Sequence, residues 1–119
     1  MPVNYISELM QPPYSIHPSA NVEESVNEMS LQGVDVLLIK EAEEYIGVFT
    51  RTDLIKLLEK NINPADVIVS SIMSKPILSL DTNTTTDETR QKMREKNIRH
   101  FAVTQSKRIV GTISIKDLD

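Results

Sequence analysis

Short apolar runs separated by polar tips recur along this chain, with one helix-like stripe between them each time. Val36 to Ile39 and Tyr45 to Thr50 read as two strands of a hairpin over the polar tip Lys40 to Glu44, and Phe101 to Thr104 with Ile109 to Ile115 read the same way over Gln105 to Arg108. Ahead of each hairpin a capping residue is followed three positions later by Glu, Asn21 with Glu24 and Thr85 with Glu88, the signature of a helix start. In the first helix Val22, Val26 and Met29 fall on one face and Gly33 ends it. Asn97 stands at the equivalent place in the second helix, which is far more polar. Pro12-Pro13 and Lys75-Pro76 break short helical turns ending in Met10 and Met73, and the apolar stretches after them, Tyr14 to Ile16 and Ile77 to Leu80, predict first strands. Thr52 to Lys60 predicts a closing helix carrying Leu54, Ile55, Leu57 and Leu58, with Asn61 to Pro64 as the linker after it.

The pattern is an internal repeat. Gly47 and Asp53 return as Gly111 and Asp117 at an offset of 64 residues, which holds back to Ile16 and Leu80 and slips to 63 for Ser7-Glu8-Leu9-Met10 against Ser70-Ser71-Ile72-Met73. The fold class expected is α+β, two pseudo-symmetric β-α-β-β-α repeats, one over residues 1–63 with its linker and one over 64–119. A unit of that length rarely buries enough core alone, so the two copies are expected to pack together, and the seam between related halves is a natural ligand cleft. The second closing helix has no counterpart here, because the sequence stops two residues past Asp117; a trimmed chain and a natively missing helix both fit.

Composition narrows the function. Aromatics make up 4% of the 119 residues, so the core is aliphatic, and Met10, Met29, Met73 and Met93 are read as core. A net charge of −4 argues against a protein that tracks a nucleic-acid backbone. Without cysteine there is neither a disulfide framework nor a thiolate nucleophile, and no metal cluster is expected. No apolar run approaches membrane-spanning length and no leader is visible at Met1, which predicts a cytoplasmic chain with no membrane partner. His17, in a turn, is assigned to the surface.

Two short patterns carry the candidate chemistry. Thr50-x-x-Asp53 and Ser114-x-x-Asp117 each read as a hydroxyl at a helix N-cap with a carboxylate three residues on, which is a sufficient structural role by itself. The same turn can also aim the carboxylate at a vicinal diol, whose two hydroxyls both donate to it, as acidic residues do for ribose in dinucleotide folds. Arg99 and His100 enter the second strand of the second repeat as a pair of donors, and Lys116 adjoins Asp117 at a helix start that favours anions. Asp35 and Val36 hold the corresponding positions of the first repeat, where Arg51 is the one nearby cation.

A short helix ending in Met, a Pro, two apolar strands and then Gly with Thr/Ser-x-x-Asp-Leu resemble the cystathionine-β-synthase (CBS) domain, and two in tandem resemble a Bateman module. The motifs that carry this are Ser7-Glu8-Leu9-Met10, Gly47 with Thr50 and Asp53, Ile98 to Val103, and Gly111 with Ser114 and Asp117. The resemblance implies a sensor of adenosine-containing ligands such as AMP, ADP or ATP, with no cofactor required. It implies ribose at Asp53 and Asp117, sugar or phosphate near Thr50 and Ser114, and phosphate near Arg99 and His100. It also implies that the base meets strand residues of the opposite repeat: Tyr14, Ser15, Val34 and Val36 for the Asp117 site, and Ile77, Leu78 and Ile98 for the Asp53 site. Each of these is equally what a core strand contains.

The function expected is therefore a non-enzymatic regulatory module in which a nucleotide bridges the repeats. The two pseudo-equivalent carboxylates belong to separate sites and make no acid/base pair. The rival readings are a ligand-free interaction module and a regulatory fragment of a larger enzyme or transporter, acting on a regulated protein that sequence cannot name. A homodimer is expected, joined through the helix faces bearing Val22, Val26 and Met29, and Leu54, Leu57 and Leu58.

Overall fold

The hairpins form where the apolar runs and polar tips put them. In a computed structural model, which describes residues 3–118, β2 (Val36–Glu41) pairs antiparallel with β3 (Glu44–Thr50), and β5 (His100–Gln105) pairs antiparallel with β6 (Arg108–Ser114). Each tip is two residues long. Ser106 and Lys107 both take positive φ, 52° and 66°, as a tight turn matched to strand twist requires. Both hairpins carry the same irregularity: Ile39 faces Gly47 while Lys40 faces Tyr45, leaving Ile46 extra, and Val110 is left extra between Gly111 and Ile109.

A short strand adds in parallel to each hairpin, β1 (Ser15–Ile16) on β2 and β4 (Ser79–Asp81) on β5, giving two three-stranded sheets, β1-β2-β3 and β4-β5-β6. These first strands are shorter than expected. Tyr14 and Leu78 lie outside them, although their carbonyls still accept from Leu38 and Ala102, and β4 starts two residues beyond Ile77. The parallel crossovers are made by α1 (Val22–Gln32) and α3 (Thr86–Lys96). Asn21 and Glu24 form the reciprocal cap, at 2.8 and 3.1 Å, and Thr85 Oγ1 accepts from the Glu88 N–H at 3.1 Å. Left-handed Gly33 (φ 66°) and Asn97 (φ 53°) close the two helices. The polar stripe of α3 is partly reconciled with burial by back-bonding: Thr89 donates to the Thr85 carbonyl at 2.8 Å, as its equivalent Ser25 does to Asn21 at 3.0 Å.

The compact units do not follow the repeat boundaries. One comprises Tyr14–Ile77 and contains Asp53; the other joins the segment up to Pro13 with residues from Leu78 onward and contains Asp117. In the Asp53 unit, α1, β2, β3 and α2 (Arg51–Glu59) enclose Val22, Met29, Val34, Leu37, Ile39, Phe49 and Leu57, and Val69 completes that core. In the Asp117 unit Met93, Phe101, Val103, Ile113 and Leu118 are completed by Ile6. Ile6 and Val69 are equivalent positions, so each repeat lends its opening 3-10 turn, Ile6–Glu8 or Val69–Ser71, to the other repeat's sheet. Met10 and Met73 follow these turns and pack on the respective cores, as expected.

The proposed dimer faces need correction. Val22, Met29 and Leu57 are buried in the Asp53 unit's own core, because a three-stranded sheet needs both helices to cover one face. The large apolar side chains left outside on α1 and α2 are Leu31, 78% exposed, Leu58, 50%, and Ile55, 48%. In the Asp117 unit the chain after β6 forms a 3-10 turn, Ile115–Leu118, where the first repeat has α2. No described helix is long and apolar enough to cross a membrane.

Candidate functional site

The two Thr/Ser-x-x-Asp turns are built alike. Asp53 Oδ2 accepts from the Thr50 N–H at 2.9 Å and from the Thr50 hydroxyl at 3.1 Å; Asp117 Oδ2 accepts from the Ser114 N–H at 2.8 Å and from its hydroxyl at 3.1 Å. One carboxylate oxygen is thus committed to closing the strand-to-helix turn. The other is held from a distant segment. Gln11 Nε2 donates to Asp117 Oδ1 at 3.1 Å, and Ser74 Oγ donates to Asp53 Oδ1 at 3.2 Å. Thr50 and Ser114 are buried while both aspartates are half-buried, so each carboxylate is fixed in direction and still reachable.

Gln11 and Ser74 were not picked out by sequence reading. Their signal was available in the repeat, since each directly follows the methionine of an equivalent Met-ended turn. They reach the aspartates because their segments run along the sheet edges. Gln11 pairs with Thr112 through two backbone bonds of 2.8 and 3.0 Å, and Ser74 pairs with Val48 through bonds of 2.8 and 3.0 Å. That approach explains the two motif glycines. A Cβ on Gly111 would lie 2.6 Å from the Gln11 carbonyl oxygen, and one on Gly47 would lie 2.6 Å from Met73 Sδ and 3.1 Å from the Ser74 carbonyl oxygen.

Charge separates the two turns. Beside Asp53, Arg51 is paired with Asp35 at 4.0 Å, so the cation expected to serve that site already faces an anion, though in solvent the pair is weak. Beside Asp117, Arg99 is exposed and its carbonyl accepts from Ile115 N–H at 2.9 Å, which fixes it next to the turn. His100 opens β5, half-buried, opposite Ser114, and Lys116 is exposed on the turn itself. Arg90 and Arg94, neither of them expected at a ligand site from the sequence, line one cavity with Arg99.

The residues expected at the base are divided between the units. Tyr14, Ser15, Val34, Val36 and Ile77 belong to the Asp53 unit; Leu78 and Ile98 belong to the Asp117 unit. Val34 and Val36 are buried, Tyr14 and Ile98 pack partly exposed against their own unit's core, and Leu78 is exposed. Among the described residues no group of His, Asp and Glu is arranged to hold a metal ion.

Two CBS-domain matches, over residues 6–60 and 69–119, cover nearly the whole chain, which therefore belongs to the CBS-domain family as a tandem pair. Of its relatives, a protein of Methanopyrus kandleri described as uncharacterised is 28% identical over 104 residues, covering 85% of this chain and 53% of that protein. An inosine-5'-monophosphate dehydrogenase of Staphylococcus haemolyticus is 26% identical over 111 residues, 90% of this chain and 22% of the enzyme. The chain thus spans about half the length of the first relative and about a fifth of the second. Among solved structures, a CBS-domain protein of Pyrobaculum aerophilum complexed with AMP superimposes with a TM-score of 0.80 at 24% identity, covering 95% of this chain and 88% of that one.

Proposed function

We propose that the chain is a non-catalytic sensor of an adenosine phosphate, with the Asp117 turn as the preferred site. The observation that carries this reading is the difference between two otherwise matched turns. Asp53 and Asp117 present the same carboxylate in the same cap, but only Asp117 has an arginine beside it that forms no ion pair among the described residues. A ribose diol donates to the accessible carboxylate edge, and Arg99 takes the phosphate as a bidentate donor, with His100 and Lys116 as further cationic or donor groups. The AMP bound by the P. aerophilum relative supports this ligand class. No reacting group is required of the protein, and binding acts by shifting a population of conformations or assemblies.

The test is calorimetry of AMP and adenosine against the chain and its Arg99→Ala variant. AMP should weaken by about 1.5–3 kcal/mol, the range for a hydrogen bond to a charged group, with adenosine almost unchanged. Equal losses would remove phosphate from Arg99, and no binding of either compound would favour the ligand-free interaction module. A second reading, a regulatory part that acts on an attached or docked enzyme, is favoured by the likeness to inosine-5'-monophosphate dehydrogenase. Self-association as a homodimer belongs to the same proposal and draws on the exposed Leu31, Ile55 and Leu58.

A further inference from the structure

The sharpest divergence between the two repeats lies on one stripe of α3. Arg90, Met93, Arg94 and Asn97 follow the i, i+3, i+4, i+7 spacing of a single helical face, and together with Ile98, Arg99 and Ile115 they line an open cavity of about 470 Å³ in the Asp117 unit. The first-repeat positions equivalent to the three arginines, Arg90, Arg94 and Arg99, are Val26, Ser30 and Asp35, and Ile115 stands where Arg51 does. The Asp53 unit therefore places one cation and one anion on these positions, and they pair with each other at 4.0 Å. The Asp117 unit places three cations and no anion on the same positions. Arg90 is partly engaged, donating to the Leu118 carbonyl and to Asp87 at 3.4 Å, whereas neither Arg94 nor Arg99 is in an ion pair among the described residues. Like charges on one wall repel each other, and an anion between them relieves that repulsion while accepting from several guanidinium forks.

We infer that this cavity holds the outer part of a phosphate chain, so that the ligand of the Asp117 site is an adenosine di- or triphosphate in preference to AMP. The inference rests on the nucleotide reading above and extends it beyond the first phosphate. Arg99 stands at the junction: its carbonyl is bonded to Ile115 at the start of the Asp117 turn, and its residue lines the cavity. A phosphate on Arg99 leads to Arg94 and then Arg90 on the α3 wall. A monophosphate leaves that wall's charges uncompensated, and each added phosphoryl group brings negative charge to them.

The experiment is calorimetry of ATP, ADP, AMP and inorganic tripolyphosphate, without divalent cations, against the chain and its Arg94→Ala and Arg94→Lys variants. Arg94 is exposed, so melting temperature should stay unchanged and serves as the folding control. The unsubstituted chain should bind ATP and ADP more tightly than AMP; Arg94→Ala should weaken ATP about tenfold and AMP less than about twofold, and Arg94→Lys should restore part of the loss. AMP binding as tightly as ATP, or Arg94→Ala lowering both alike or neither, overturns the inference while leaving the nucleotide reading intact. Tripolyphosphate binding that depends on Arg94 in a chain that ignores every adenosine compound overturns the nucleotide reading and, with it, the adenosine part of the inference. If nothing binds, both fail.

Discussion

Gln11 donates its side-chain amide to Asp117 across 106 positions of sequence, at 3.1 Å, and its backbone is stitched to Thr112 on the edge of the same sheet. The candidate ribose carboxylate is therefore held by the far end of the chain as well as by its own turn. Gln11→Ala should cost about 0.5–1.5 kcal/mol in chemical denaturation, the usual net value of one hydrogen bond. Gln11→Glu should cost more at neutral pH, because it sets a second carboxylate against Asp117 where the amide had donated. Equal stability of the two variants at neutral pH would show that the Gln11 side chain does not face Asp117 in solution.

The motif glycines should differ in sensitivity. Gly111→Ala drives a methyl into the Gln11 backbone carbonyl, which is held by two backbone bonds, whereas at Gly47 the nearest atom is the flexible end of Met73. Thermal or urea unfolding should show a loss of about 2–3 kcal/mol for Gly111→Ala, at the upper end for overpacking, and a smaller one for Gly47→Ala. The reverse order would contradict the close approach at Gln11.

Asp117→Asn should weaken ribonucleotides, and 2'-deoxy analogues should then lose little more, because the diol contact is already gone. Titration of ribo and deoxy ligands against both proteins gives the cycle. Full additivity would place the diol elsewhere, and a marked drop in melting temperature without ligand would show that capping is the main role of Asp117.

Leu57 and Leu58 are neighbours with opposite fates, 6% and 50% exposed. Leu57→Glu should unfold the Asp53 unit, since a buried charge without a partner costs several kcal/mol. Leu58→Glu should leave circular dichroism unchanged and shift mass by light scattering from dimer to monomer. A Leu58→Glu protein of unchanged mass in a dimeric background would move the interface away from α2.

The sequence by itself determined the elements and their duplication. Apolar runs over polar tips specified both hairpins and capping residues specified α1, α2 and α3, because these signals depend on neighbours a few residues apart, and the constant spacing of Gly47 and Gly111, and of Asp53 and Asp117, marked two equivalent turns. Tertiary structure decided what covers what. Ile6 and Val69 carry the same local apolar signal, which states that each must be buried but not under which sheet, and in the fold each crosses to the other repeat. The same indifference hid Gln11 and Ser74, polar residues after a methionine whose partners lie 106 and 21 positions away. It also hid which apolar residues stay outside, since a helical stripe shows that Val22, Met29 and Leu57 seek apolar company without saying whether the unit's own sheet supplies it. Periodicity encodes the need for burial; only the path of the chain in space selects the partner that meets it.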